Sequence, residues 1–139
     1  MVDHATHTRH VRILYLEDSE TDSILVTREL RKAGFDAEII RVDNKPEFLA
    51  CLDENGWDLI LSDYALPQFN GLEALEIVKH RRQERQIDQT IPFVVISGRI
   101  GEEVAVEVMR SGADDYIMKD NIKRLGPVVN RELDERAVR

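Results

Sequence analysis

Glu17 and Asp18, Asp63, and Lys119 each stand where an apolar run gives out, after VRILYL, DLILS and DDYIM in turn. Three carboxylates and one ammonium brought to one place would hold a divalent cation beside an anion. Mg²⁺ takes near-octahedral oxygen ligands, keeps several waters, and commonly uses one or two carboxylates together with a phosphoryl oxygen. Asp18 and Asp63 are hard ligands of the right kind, Glu17 acts through a water, and Lys119 supplies a compact cation for the anion that shares the metal. Ser97 closes a fourth run and offers a hydroxyl beside the same spot. Such a set suits phosphoryl transfer, where catalysis is mostly positioning and charge neutralisation. Asp63 is the best-placed nucleophile; it would attack phosphorus in line and become an acyl phosphate.

The runs themselves have the length and aliphatic content of buried strands, and they alternate with helical patterns five times. That alternation predicts βα units and a parallel sheet, in which ligands bind beyond the carboxyl ends of the strands. Strands are expected over residues 11–17, 37–42, 59–62, 92–96 and 115–118. Ser19, with Asp22 three residues on, resembles a capping box and opens a first helix that should bury Ile24, Leu25, Val26 and Leu30 and end at Gly34. Asn44 caps a second helix with Pro46 in its first turn, closed by Asn55-Gly56. Asn70-Gly71 leads into a third, residues 101–110 form the fourth, and residues 122–137 form the last, with Pro127 in its opening turns.

Composition narrows the classes. A chain of 139 residues fits one domain and is long enough to bury roughly 68–70 % of its unfolded surface. Residues 1–10 read as a disordered tail and residues 11–139 as the domain. The formal net charge of −8 argues against non-specific binding to nucleic acid or to an anionic membrane. The apolar runs are too short to span a bilayer, the N-terminus lacks a signal-peptide core, and the lone Cys51 forms no intramolecular disulfide, so the cytoplasm is the expected compartment. Cys51, Trp57 and Phe93 read as packed residues, and His4, His7 and His10 as tail residues rather than metal ligands.

In their order along the chain, Glu17-Asp18, the segment from Asp63 through Tyr64, Ala65, Leu66 and Pro67 to Asn70-Gly71, the pair Ser97-Gly98, and Tyr116 to Lys119 resemble a response-regulator receiver domain. This is the phosphoacceptor module of two-component signalling, and the match runs from residue 11 to about 137. The resemblance implies a doubly wound, flavodoxin-like α/β fold of five parallel strands in the order 2-1-3-4-5 with five helices. It implies that Asp63 accepts a phosphoryl group from a sensor histidine kinase or a histidine phosphotransfer protein. Mg²⁺ would be held by Asp18, Asp63 and the backbone carbonyl of Ala65, with Lys119 on the phosphoryl group. Ser97 would swing toward that group and Tyr116 would follow inward, repacking the face of the fourth helix, fifth strand and fifth helix. Ala65 and Arg99 occupy positions that tune phosphoryl lifetime in the family. Two departures stand out: Gly98 replaces the usual Ala, and Asp120 replaces the usual Pro, which bears on whether the bond after Lys119 is cis.

The module implied is not an enzyme in the ordinary sense, although it contributes groups to its own phosphorylation and dephosphorylation. It would signal to an unknown downstream protein, or by homodimerising through the switching face, with no nucleic-acid or membrane partner. No DNA-binding pattern follows the last helix, so the chain reads either as a free-standing regulator or as part of a larger protein. Two alternatives remain at this point. One is a Mg²⁺-dependent phosphatase-like hydrolase with Asp63 as nucleophile; against it, Ala65 stands where a second acid/base aspartate would be expected. The other is a docking domain that works without phosphorylation, which need not retain both the acceptor and the acidic pair.

Overall fold

A computed structural model of the chain describes residues 8–98 and 102–138. Among them the chain alternates strand and helix: β1 (Arg9–Leu16), α1 (Glu20–Lys32), β2 (Phe35–Val42), α2 (Lys45–Leu52), β3 (Leu59–Asp63), α3 (Gly71–Gln83), β4 (Phe93–Ser97), α4 (Glu102–Arg110), β5 (Asp115–Met118) and α5 (Leu125–Ala137), with a 3-10 segment, Lys119–Arg124, before the last helix. The strands form one parallel sheet in the order β2-β1-β3-β4-β5. This is the expected doubly wound, flavodoxin-like arrangement.

Two-residue alternation along the strands sends side chains to opposite faces, and both faces are covered. Leu14, Leu16, Ile60, Phe93, Val95 and Tyr116 pack against α2, α3 and α4. Ile13, Tyr15, Leu59, Leu61, Val94, Ile96 and Ile117 pack against α1 and α5. Every residue of β3 and β4 is buried, as central parallel strands require. Trp57 is buried as expected, its indole Nε1 donating to the Cys51 carbonyl at 2.7 Å while the Arg12 guanidinium lies 4.0 Å above the ring.

Three helix starts are fixed by side chains. Ser19 Oγ accepts from the Asp22 amide at 3.1 Å, and Asn44 and Asn70 each accept at 2.9 Å, from the amides of Glu47 and Glu73. Pro127 sits in the first turn of α5, where its missing amide costs little. Gly34 follows α1 with φ +91°, a conformation that suits a residue without a Cβ.

The inner face of α1 differs from expectation. Val26 and Leu30 are buried, but Ile24 is 51 % and Leu25 45 % exposed. Positions 26 and 30, four apart, share the face that meets the sheet, whereas residues one and two positions earlier lie about 100° and 200° around the helix. Counting apolar residues over-filled that face. β1 also begins at Arg9, two residues before the apolar run, because Arg9 and His10 pair with Phe35 and Asp36 at the edge of the sheet.

Gly71 ties α3 to the end of β3. Its amide donates to the Tyr64 carbonyl at 3.0 Å. A Cβ there would meet the Asp63 carbonyl oxygen at 2.7 Å and the Tyr64 Cα at 3.1 Å. Both are backbone atoms with no side-chain freedom to yield. Gly71→Ala is therefore expected to destabilise the fold by about 1–3 kcal/mol, the usual cost of overpacking. A urea midpoint measurement checks this; an unchanged midpoint would mean that the α3 start relaxes freely.

Candidate phosphoacceptor site

The parallel register brings the strand ends to one rim. Leu16 pairs with Ser62, Asp63 with Ile96, and Ser97 with Met118, so the residues at and just beyond these positions share one crevice. Glu17 follows β1 and is fully buried at 0 % exposure, while Asp18 after it reaches solvent. Asp63 ends β3 at 6 % exposure. One carboxylate oxygen from each of Glu17, Asp18 and Asp63 lies within 4.8 Å of the others. The three expected acidic residues thus form one cluster.

Lys119, the first residue past β5, reaches into it. Its ammonium pairs with Glu17 Oε1 at 3.1 Å, Asp63 Oδ2 at 3.2 Å and Asp22 Oδ2 at 2.6 Å. Sequence reasoning took Asp22 as a helix-start residue and missed this contact. The capping-box geometry is in fact not completed by Asp22, because the Ser19 amide donates to Glu17 Oε2 at 3.3 Å. Tyr15 was missed as well, being read as strand core; its buried hydroxyl donates to Glu17 Oε1 at 2.9 Å. The signal available was its place two residues before Glu17, on the same face of the strand. Arg41 donates to the Glu17 carbonyl at 3.1 Å and holds the backbone at that point.

Electrostatics follow from this packing. Burial, and then the charge of Asp63, push the Glu17 carboxyl up to about 7. Burial acting alone would lower the Lys119 ammonium, but its bond to Asp22 and the charge of Asp63 outweigh that and raise it above its ordinary value. Burial, reinforced by Glu17, pushes the Tyr15 phenol well up, so it stays a donor. Among the described residues the crevice is an over-filled acidic cluster with one internal counter-ion, Lys119.

Around this centre, Ser97 is buried at the end of β4 and Tyr116 is buried on β5. Tyr116 is already inside, with its hydroxyl buried and lacking a full hydrogen bond. Burial raises its phenol, with Ser97 pulling it back down. Tyr64, next to Asp63, donates to Glu107 of α4 at 3.3 Å. Ala65 is exposed, and its amide donates to Asp63 Oδ1 at 3.4 Å. A Cβ on Gly98 would touch Lys119 Cδ at 3.4 Å, so the lysine stem runs over this glycine. The Lys119–Asp120 peptide is trans. Arg99, expected to tune lifetime, lies outside the described residues.

Hard oxygen donors converging from three positions, in excess of the one lysine that neutralises them, are a donor set that fits Mg²⁺.

Comparison with known proteins agrees with this geometry. A model of the response regulator receiver domain matches residues 13–129, so the chain belongs to the receiver-domain family of response regulators. Response regulator ArlR of Staphylococcus saprophyticus is 37 % identical over 108 residues, covering 78 % of this chain and 45 % of the relative. DNA-binding response regulator MtrA of Mycobacterium tuberculosis is 31 % identical over 112 residues, covering 81 % and 45 %. The Mn²⁺-bound form of response regulator Rcp1 superposes with a TM-score of 0.70 at 26 % identity, over 89 % of this chain and 95 % of that one. The chain therefore spans less than half the length of the curated relatives described here. The expectation that nucleic acid plays no part is not supported: MtrA is named as DNA-binding, and the charge of a receiver says nothing about what a longer regulator binds. Receiver domains are signalling modules rather than catalysts that turn over a substrate. Among the described residues no helix is long and apolar enough to cross a membrane.

The raised Glu17 carboxyl has a consequence for stability. Its ordinary value is 4.5 and its folded value is about 7, so between these the folded state binds the extra proton. Stability from this group therefore falls as pH rises through that window. Relative to Glu17→Gln in EDTA, the wild type is expected to lose stability from about pH 4.5 to 7, and Mg²⁺ should flatten the loss. Denaturant titrations of both proteins across this range check it, and parallel curves would refute it.

Proposed function

We propose that Asp63 is the phosphoacceptor of a Mg²⁺-dependent signalling switch. The observation that carries this reading is a single carboxylate, Asp63, with the Lys119 ammonium 3.2 Å away and oxygens of Glu17 and Asp18 within 4.8 Å. Asp18, Asp63 and the Ala65 carbonyl would hold Mg²⁺, with Glu17 acting through a water. When bound, the metal would supply positive charge to the acceptor and to the phosphoryl oxygens; response regulator Rcp1 is known in an Mn²⁺-bound form.

The chain's own groups do the rest. Asp63 supplies the attacking oxygen, and its carboxylate is oriented by the Ala65 amide, which donates to Oδ1, and by Lys119, which donates to Oδ2. Lys119 neutralises charge on the transferred group, and Ser97 offers a hydroxyl to one of its oxygens. Phosphorus leaves a phosphohistidine nitrogen of a sensor kinase or phosphotransfer protein and joins the Asp63 oxygen. The domain is thus a phosphoacceptor that assists its own phosphorylation and dephosphorylation, and is not a separate enzyme.

Two surfaces support a role in protein contacts. Leu25, exposed on α1, lines a small cavity beside the crevice together with Asp22, Val26, Lys119 and Ile122, which favours docking of the phosphodonor there. On the opposite side, Val106, Met109 and Met118 are exposed on α4 and β5. That face suits the downstream protein, or a second copy of the chain in a homodimer, with Ser97 and Tyr116 carrying the change to it. Arg99 and Ala65 would tune how long the phosphoryl group lasts. The cytoplasm is the proposed compartment.

Incubation with Mg²⁺ and acetyl phosphate, followed by intact-mass measurement, tests this. Wild type should gain one phosphoryl group that Asp63→Asn does not, and EDTA should abolish the gain. An equal adduct on Asp63→Asn, or none on wild type even with a cognate kinase, would contradict it.

A further inference from the structure

Of the three carboxylates on Lys119, two belong to the acidic cluster and one does not. Asp22 comes from the first turn of α1, and its 2.6 Å contact is the shortest of the three. It also lies farther toward solvent: its side chain is 33 % exposed, against 0 % for Glu17 and 8 % for Asp63. Asp22 and Lys119 together line the small cavity beside the crevice. The Asp22 backbone is pinned by Ser19 Oγ at 3.1 Å. Its carboxylate is not used in capping, because the Ser19 amide is taken by Glu17. A carboxylate so placed is directed at the lysine.

We propose that Asp22 is a positioning residue for phosphoryl transfer to Asp63: it tethers the Lys119 ammonium at the mouth of the crevice and sets how much of that charge an incoming phosphoryl group meets. This inference rests on the phosphoacceptor reading of Asp63. An ammonium has three N–H donors; Lys119 directs one to Asp22 and one to Asp63, and Glu17 Oε1 lies 3.1 Å away as an ion-pair partner. When acetyl phosphate reacts, the bond from phosphorus to the acetate oxygen breaks, a bond to an Asp63 oxygen forms, and acetate leaves as the anion. No proton need change hands. The donor that faced Asp63 then serves the phosphoryl group, while Glu17 and Asp22 keep the ammonium in place.

Asp22 therefore acts in two separable ways. As a hydrogen-bond acceptor it fixes the geometry of Lys119. As an anion at the mouth it offsets part of the lysine's charge and repels an anionic donor. Asp22→Asn keeps an acceptor and removes the charge, Asp22→Glu keeps both, and Asp22→Ala removes both.

The test compares wild type and these three variants in two assays. The first follows phosphorylation against acetyl phosphate concentration with Mg²⁺ present. The second measures acylation of Lys119 by an acetyl N-hydroxysuccinimide ester in EDTA, mapped by peptide mass. Asp22→Asn should reach half-maximal rate at severalfold lower acetyl phosphate, with little change in maximal rate. Asp22→Ala should lose about tenfold in maximal rate, the scale of a misplaced charge stabiliser. It should also acylate Lys119 severalfold faster than wild type, and Asp22→Glu should track wild type in both assays. Wild type labelled on Asp63, with all three variants matching it in both assays, overturns the Asp22 assignment alone. Wild type that takes no label on Asp63 overturns the phosphoacceptor reading and this inference with it.

Discussion

One ammonium surrounded by carboxylates organises this molecule. Lys119 sits within 3.2 Å of Glu17, Asp22 and Asp63, groups drawn from the ends of two strands and the start of a helix. Without a cation the cluster would repel itself in a crevice where Glu17 is wholly shielded from water. With Lys119 as the one cation among the described residues, it remains acidic overall. That imbalance makes the crevice receptive to a divalent metal and, once a metal is present, to an anion. The parallel sheet exists in functional terms to bring these groups to a common rim.

The wider structure keeps that arrangement rigid. Leu14, Leu16, Ile60 and Val95 anchor the central strands on one face, and Ile13, Leu59, Leu61 and Ile96 on the other. The strand tips therefore have little freedom to separate. Gly71 lets α3 start against the Asp63 carbonyl, and Arg41 and Tyr15 hold Glu17 from backbone and side chain. At the rim Ala65 is exposed and Tyr64 reaches across to Glu107 on α4. A charge change at Asp63 is thus adjacent to a link toward the exposed apolar face of α4 and β5, the kind of local event that biases a packed element.

Much of this was legible in the chain itself. Charged residues after apolar runs identified the rim, because a buried strand ends in charge only where water or a partner receives it. The runs also predicted the parallel sheet, since uninterrupted apolar strands need two covered faces. What escaped was what depends on three-dimensional approach. Asp22 looked like a helix-start residue because its lysine partner lies 97 positions away in sequence. Ile24 and Leu25 looked like core because their type was read before their angle around α1. The inward placement of Tyr116 was foreseen only as the end of a movement, and the structure already has it buried.

The charge account is tested most directly by measuring the stability of wild type and Lys119→Met at pH 8, in EDTA and in excess Mg²⁺. Loss of the lysine should destabilise the metal-free protein by on the order of 2 kcal/mol, between the values for exposed and fully buried ion pairs. Mg²⁺ should stabilise the variant more than wild type, because it replaces the missing counter-charge. A metal-free Lys119→Met protein as stable as wild type, with no greater response to Mg²⁺, would contradict the view that this lysine holds the acidic cluster together.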